Sequence, residues 1–224
     1  MNNLELWDSV CKTNPADTKK ITFGRAITAI DPYKQVRSAT EAFGPAGKGW
    51  GWSVQRVEYL PTNEMGVLIK LWHGELHNSI EQWGQSSLYI DNAERKKDTD
   101  CFKKATTDGV TKCLSYLGFN ADIFLGKFDD NKYIQERVNE ESYNAVYKEA
   151  LSRNFASMEV VTNSLDAGNL SAAAEAWYEM TQEDQQALWI APSKGGCLTT
   201  DNRIVMQTSE FREAYYGPSV DGQQ

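Results

Sequence analysis

The sequence predicts an α+β fold in which a three-stranded antiparallel β-meander packs against a long helix, with a preceding helix and a small helical region toward the C-terminus. Two stretches rich in Val, Ile, Tyr and Trp flank a turn that contains Pro and Asn, and a third such stretch follows. Apolar residues then recur with helical spacing from residue 98 to Gly118. These observations indicate a β-β-β-α core.

The preceding helix is predicted over the segment DPYKQVRSATEAFG. Asp31 can cap its first turn, Pro32 suits the first helical position, and Gly44 can end the helix. The apolar spacing predicts a buried face formed by Tyr33, Val36, Thr40 and Phe43. Lys34 and Arg37 are three residues apart and therefore share a different face of this helix.

The strands of the meander are predicted over residues 52–59, 66–73 and 77–89, with a bend or bulge at Gly84. The glycine-rich loop GPAGKGWG precedes them and contains Lys48. Trp50 and Trp52 are flanked by glycines, so we expect both to be partly accessible. Aromatic rings next to lysines are typical of surfaces that stack on nucleic-acid bases.

The long helix is predicted to bury a stripe formed by Phe102, Ala105, Thr106, Val110, Cys113, Leu114 and Leu117. Its outward face is basic and hydroxylic and comprises Lys103, Lys104, Thr107, Thr111, Lys112 and Ser115. Asp108 lies in mid-helix and needs a partner, and Gly109 permits close packing on the sheet, so we assign both to structural roles. The loop GKFDDNKY, which contains Lys127, closes the domain.

The net charge of the whole chain is −8, which disfavours a polyanionic partner. Residues 1–137 contain 18 basic and 18 acidic residues and are neutral, whereas residues 138–224 contain 5 and 13 and carry the whole excess of 8 acids. We therefore predict two domains, 1–137 and 138–224, the second with a disordered tail from about residue 217. In the second domain, Thr181 and Asp184 predict the capped start of a helix that breaks at Ala191-Pro192, and a last short helix is predicted over residues 200–216. The neutral domain can still carry a basic stripe.

Several classes of protein are disfavoured by the sequence. No apolar run is long enough to span a membrane, and a secretory leader is not evident, which predicts a soluble cytoplasmic protein. Four scattered cysteines predict reduced thiols. GPAGKG lacks the spacing of a phosphate loop, and HGELH lacks the residue order of a zincin motif. Neither a nucleotide cofactor nor a metal is predicted, although the Asp129-Asp130 pair is a weak candidate for a divalent ion.

Three segments occur in an order that resembles a known family. YKQVRSATEAFGPAGKGWGWSV, then a hairpin and third strand ending in WGQSSLYID, then FKKATTDGVTKCLSYLG are similar to the helix, meander and second helix of the Rad-fifty-two superfamily of annealing proteins. The continuation FNADIFLGKFDDNKYIQE resembles the phage branch of that superfamily. The similarity covers residues 21–136, about half of the chain, and its most specific part is K-A-T-T-D-G-V-x-K-x-L-x-x-L-G.

This resemblance implies a recombinase that anneals strands in phage recombination or repair, without ATP or covalent chemistry, in the cytoplasm of the host cell. The sheet and the long helix would form the walls of a basic groove, and subunits in a ring or filament would join these grooves into one track. Single-stranded DNA would lie there with its backbone inward and its bases outward. Backbone contacts give affinity without sequence preference, which leaves sequence reading to base pairing.

The resemblance also assigns residues. Lys34 matches a groove arginine, Arg37 follows one turn later, and Lys112 matches a basic residue after the T-D-G motif. Thr111 and Ser115 stand where relatives of the eukaryotic type have basic groups, so we expect weaker or more salt-sensitive binding. We infer that the missing charge is supplied by Lys48, Lys103, Lys104 and Lys127.

Two alternatives remain open on the sequence alone. The chain could be a passive single-strand coating or adaptor protein, or a metal-dependent nuclease that uses Asp129 and Asp130. The acidic region after residue 138 is a candidate docking segment for a host single-strand binding protein or a partner exonuclease.

Overall fold

The computed structural model describes residues 3–22, 27–91, 93, 96–190 and 196–218. Contacts divide the chain into two compact units, 1–137 and 138–224, each with its own hydrophobic cluster. The boundary coincides with the position at which the sequence turns acidic, and it falls within a helix that begins at Asn131. No helix in the described residues combines the length and the apolarity needed to cross a membrane.

The first unit confirms the predicted α+β fold. Its elements are α1 (Glu5–Val10), β1 (Thr18–Ile21), β2 (Ile27–Ile30), α2 (Pro32–Phe43), β3 (Trp50–Leu60), β4 (Glu64–His73), β5 (Glu75–Ser87), α3 (Cys101–Tyr116), α4 (Ala121–Phe124) and the start of α5 (Asn131–Arg153). Strands β3, β4 and β5 form an antiparallel sheet in that order. Strands β1 and β2 form a separate antiparallel pair, which the sequence did not predict.

Helix α2 begins and ends where its capping residues predict. The Asp31 carboxylate accepts a hydrogen bond from the Tyr33 backbone N–H at 3.0 Å, and Pro32 occupies the first helical position. Gly44 follows the last turn with a φ of 91°, a conformation that glycine adopts without steric cost. Local capping chemistry therefore sets where this helix begins and ends.

The predicted buried face of α2 is only partly correct, since Val36 and Phe43 pack against the core and Tyr33 does not. Gln35 and Ala39 are buried, whereas Tyr33 is 83% exposed. The Gln35 amide donates to the Phe119 carbonyl at 3.4 Å, which satisfies a polar group that the apolar pattern assigned to solvent. The buried face of the helix is thus centred on Gln35 and Ala39, while Lys34 and Arg37 remain exposed as expected.

Helix α3 packs closely on β4 and β5 because two glycines face each other at the contact. A Cβ atom at Gly84 would lie 1.9 Å from the Ala105 carbonyl oxygen, and one at Gly109 would lie 2.5 Å from Cγ1 of Ile69. The inner face of β4 buries Met65, Val67, Ile69 and Leu71 against this helix. The structural role predicted for Gly109 is confirmed.

Two details of this layer differ from the predictions. Gly84 does not mark a bulge, because it pairs in regular register with Val67, and the register shift on β3 lies between Val54 and Arg56 instead. Phe102 was predicted to be buried but is 46% exposed. The glycine in β5 thus serves close packing of α3 on the sheet.

The inner face of β3 is left open. Helix α3 packs on β4 and β5, and within the described residues β3 pairs with β4 alone. The residues of β3 that share the inner face with the buried side of β4 are Trp52, Val54, Val57 and Tyr59, exposed by 42%, 41%, 40% and 71%. We call these four residues the β3 strip. It is an apolar extension of the core that is only partly covered by the described residues of this unit.

The second unit is helical. It contains the rest of α5 and then α6 (Phe155–Asp166), α7 (Leu170–Tyr178), α8 (Gln182–Ile190), α9 (Thr200–Met206) and α10 (Ser209–Tyr216). The predicted cap of α8 is confirmed, since Thr181 Oγ1 accepts from the Asp184 N–H at 3.1 Å. The single helix predicted over residues 200–216 is wrong, because Thr208 caps a separate helix α10. The break at Ala191-Pro192 and most of the predicted disordered tail, residues 219–224, lie outside the described residues.

Candidate nucleic-acid interface

A groove of about 550 Å³ runs along one side of α3, between this helix, β2 and α4. We call it the basic groove. Helix α3 contributes Lys103, Lys104, Thr107, Asp108 and Thr111, and apolar residues of β2 and α4 complete the walls. Ammonium groups and hydroxyls over an apolar floor suit a ligand that carries phosphates.

A second groove of about 560 Å³ runs along the other side of α3. We call it the aromatic groove, and it is lined by Trp7, Gln82, Trp83, Lys112, Ser115, Tyr116 and Phe124. Tyr116 is 65% exposed and Phe124 is 50% exposed. Phe124 also lines the basic groove, so the two grooves meet at this ring.

Lys112 is fixed at the rim of the aromatic groove by Asp108. The Asp108 carboxylate accepts from the Gln85 backbone N–H at 2.9 Å and from Lys112 Nζ at 2.8 Å, and Nζ also donates to the Trp83 carbonyl at 3.3 Å. The mid-helix aspartate thus has the partner that the sequence required. It ties α3 to the edge strand β5 and orients one groove lysine.

Lys104 is paired with Asp98, a residue that is only 9% exposed. Their N···O distance is 2.6 Å. The hydrogen bond from Lys104, together with one from the Asp100 N–H, lowers the pKa of the Asp98 carboxyl, and the same contact raises the pKa of the lysine. Lys104 therefore stays charged at the N-terminal end of α3, but its charge is locally balanced.

Lys103 differs from its neighbours because it forms no ion pair within the residues that the structure describes. Lys48, exposed in the glycine-rich loop, likewise lacks a described carboxylate partner. Lys127 lies 5.6 Å from the centroid of the Tyr133 ring, a cation-π contact. Of these three, Lys103 alone is among the residues that line the basic groove.

The basic residues of α2 are not brought into either groove. Lys34 pairs with Asp17 at 2.9 Å and Arg37 with Glu41 at 2.8 Å, and neither is among the described residues that line the basic or the aromatic groove. Pro32 does line the basic groove, so the N-terminal end of α2 reaches its edge. In this structure the lysines of α3 and the cations of α2 are separate groups.

The accessibility predicted for Trp50 is wrong. Its side chain is completely buried, and Nε1 donates to Thr40 Oγ1 at 3.4 Å, so it belongs to the core beneath α2. As placed, this indole cannot stack on a base. Trp52 is 42% exposed and lies in the β3 strip, with its ring 5.7 Å from that of Trp50. Trp52 remains accessible to a ligand or to another protein surface.

The disfavoured motifs have structural roles. His73 ends β4 and stacks on Phe43 with ring centroids 4.7 Å apart, and Gly74 turns the chain with a φ of 69°. The Asp130 carboxylate accepts from the Lys132 N–H at 2.8 Å where α5 begins, an interaction typical of Asp in turns. Within the described part of the chain, His, Cys, Asp and Glu side chains do not form a group of three that could hold a metal ion.

Sequence reasoning missed the aromatic groove. Tyr116 and Phe124 were not singled out, because hydrophobic periodicity does not show whether a single aromatic residue at a helix end is buried or exposed. The wall formed by β2 was missed because its four residues, ITAI, are too short a signal. The position of α4 depends on the left-handed backbone of Asn120 and on contacts with the N-terminal segment, neither of which a sequence pattern predicts.

No protein-family model matches the chain, and no curated protein is found to match its sequence. The resemblance to the Rad-fifty-two superfamily therefore rests on the sequence segments alone. In the structure those three segments form α2, the β3–β5 meander and α3.

Proposed function

We propose that the chain binds single-stranded DNA along α3 and promotes annealing of complementary strands without ATP. The observation that carries this proposal is the placement of Lys103, Lys104 and Lys112 on a single helix between two grooves. The sequence segment that most resembles annealing proteins forms this same helix. A row of cations on one rigid element suits a sugar-phosphate backbone and reads no sequence.

The ion pairs along α3 are compatible with phosphate binding. The side chains of Lys112 and Asp108 are 42% and 37% exposed, and an ion pair at such a position contributes only about 0–1 kcal/mol. A phosphate can therefore replace Asp108 at small cost. Asp98 is only 9% exposed, so a phosphate would share Lys104 with this carboxylate instead of replacing it. The nearby carboxylates also weaken the positive potential of the groove, so we expect a low affinity for single-stranded DNA at physiological salt.

Self-assembly completes the proposal, and we assign it to the β3 strip. The strip continues the inner face of the sheet beyond α3, and β3 presents an edge whose backbone groups are free of a second strand in the described residues. An exposed apolar edge of this kind is a site for pairing with another chain. We propose that a second copy covers it and joins the grooves into a ring or filament.

The acidic second unit is proposed to bind a partner protein instead of DNA. Helices α5 and α8 form an apolar groove of about 230 Å³ that includes Tyr143, Val146, Ala187 and Ile190. An apolar groove in a unit with 13 acidic and 5 basic residues suits a partner with a basic, partly apolar surface. A host single-strand binding protein and a partner exonuclease are the candidates.

The proposed DNA site is tested by salt-dependent binding of single-stranded oligonucleotides. Lys103→Ala and Lys112→Ala should each weaken binding similarly for all sequences and reduce the slope of log affinity against log salt by about 1. Lys34→Ala, which the resemblance also assigns to DNA, should have a smaller effect because Lys34 lies outside both grooves. Loss of binding to some sequences and not others would contradict a backbone site.

A further inference from the structure

Phe124 has an unusual position for an exposed aromatic residue. Its ring lines both grooves, between the lysines and hydroxyls of α3 on either side, and it is 50% exposed. Tyr116, the last residue of α3, is 65% exposed in the aromatic groove beside Lys112 and Ser115. Two accessible rings thus stand among groups that suit phosphates.

The support beneath Phe124 is rigid. The neighbouring Asp122 is 3% exposed, and its carboxylate accepts from the Thr13 N–H at 2.8 Å and from the Tyr133 hydroxyl at 2.8 Å. These bonds anchor α4 to the N-terminal segment and to the first turn of α5. The Phe124 ring is therefore exposed on a helix that is held in a fixed position.

The chemistry around the two rings points to one class of ligand. A single nucleic-acid strand offers phosphates and flat apolar bases in alternation, and its bases are free to stack on an aromatic ring. In duplex DNA the faces of the bases are occupied by their neighbours, so a duplex offers the lysines its phosphates but offers the rings nothing. An acidic protein surface would match the lysines without explaining the rings between them.

We propose that Phe124 and Tyr116 stack on bases of the bound strand and that this contact makes the site select single-stranded over duplex DNA. The inference rests on the proposed function and sharpens it. It also departs from the arrangement that the resemblance implies, because at these two positions bases turn toward the protein while the phosphates follow Lys103 and Lys112.

The test compares two strands that carry the same phosphates. One is an oligothymidine and the other is an abasic strand of equal length, each measured at low salt with the full chain. The wild type should prefer the oligothymidine. Phe124→Ala should weaken binding to oligothymidine about ten-fold, the loss expected for one base stack, and leave binding to the abasic strand within about two-fold. Lys103→Ala should weaken binding to both strands by the same factor.

Matched variants separate stacking from packing. Leu125→Ala removes a side chain that is 65% exposed next to Phe124 and is not among the described lining residues of either groove, so it should bind both strands like the wild type. Phe124→Tyr should restore the preference for oligothymidine, and Phe124→Leu should not. Tyr116→Ala should reproduce the effect of Phe124→Ala. Thermal unfolding of Phe124→Ala should match that of Leu125→Ala.

The contrary outcomes are distinct. If the wild type binds both strands and Phe124→Ala weakens them equally or not at all, the stacking inference is wrong while the DNA site stands. If Phe124→Ala changes the oligomeric state in sedimentation and leaves the preference for oligothymidine intact, the ring is a subunit contact and the inference is again wrong. If the wild type binds neither strand, the proposed function itself fails.

Discussion

The two units of this protein differ in how they distribute charge. The first unit balances 18 basic against 18 acidic residues and gathers lysines along α3, whereas the second unit carries 13 acidic and 5 basic residues on a helical scaffold. The net charge of −8 is therefore that of the second unit alone, and it says nothing about the neutral first unit. Affinity for a polyanion depends on the local arrangement of cations, so it must be judged on the surface of one unit.

The two units also differ in how their cores are packed. The first core depends on a close approach of helix to sheet at Gly84 and Gly109, while the second packs helix on helix around residues such as Trp177 and Phe211. In each unit a nearly buried aspartate is paired with a cation, Asp98 with Lys104 in the first and Asp184 with Arg153 in the second. Changes at these places should affect one unit and spare the other.

The largest expected effect is on stability. Gly84→Val places a branched side chain against the Ala105 carbonyl, so we expect the first unit to lose about 3 kcal/mol or more. Gly47→Ala, at a φ of 85° with open space around it, should lose only about 1 kcal/mol through backbone strain. Hydrogen exchange should show faster exchange in β4 and unchanged protection in α7. Equal losses in the two variants would contradict the packing argument.

The next effect concerns the acidic unit. Truncation after Glu140 keeps α1 to α4, the buried Arg137 and the start of α5, and it removes most of the acidic excess. We expect the shortened chain to anneal naked strands and to bind single-stranded DNA as tightly as the full chain or up to about ten-fold more tightly at low salt. Annealing activity that disappears together with the acidic unit would show that both units form the annealing machinery.

A smaller effect should come from releasing the groove lysines. Asp108→Asn removes the charge next to Lys112 while its side-chain oxygen can still accept from the Gln85 N–H, so single-stranded DNA should bind about three-fold more tightly. Glu41→Gln releases Arg37 outside the grooves and serves as the matched control, with no expected gain. A gain at Glu41→Gln that equals the gain at Asp108→Asn would place the strand across α2 as well.

The smallest effect is the pH dependence of stability. Hydrogen bonds from Lys104 lower the pKa of Asp98, and those from Arg153 and Asn154 lower the pKa of Asp184. A carboxyl whose pKa is lower in the folded state stabilises the fold above its unfolded pKa, about 3.9, and this contribution is lost as the pH falls through the folded value. Asp98→Asn should flatten the acid limb of unfolding for the first unit only, and Asp184→Asn that of the second. Acid unfolding monitored by nuclear magnetic resonance separates the two.

Local chemistry made much of the fold predictable from the sequence. Several of its signals act over a few residues: the caps of α2 at Asp31 and Gly44, the turn before β4, and Gly118 at the end of α3. These signals predicted α2, the meander and α3. Gln35 and Trp50 were misjudged because their burial depends on partners far along the chain or on a neighbouring helix. The hydrophobic periodicity and the composition of a segment do not predict contacts of this kind.

The candidate site was only partly predictable for the same reason. Lys103, Lys104 and Lys112 follow from the helical period of α3, but the walls of both grooves come from β2, α1 and α4. The carboxylates that balance Lys104 and Lys112 are six and four residues away, close enough to be found by inspection. The shared position of Phe124 depends on the buried network around Asp122 and required the structure.

The central claim is tested most directly by mixing complementary oligonucleotides with the full chain at low salt in the absence of any nucleotide. We predict that the protein accelerates duplex formation and that charge reversal at Lys103 and Lys112 abolishes the acceleration. The same assay with magnesium should leave both strands uncut. Binding without faster annealing would instead indicate a passive coating protein, and that result would contradict the account.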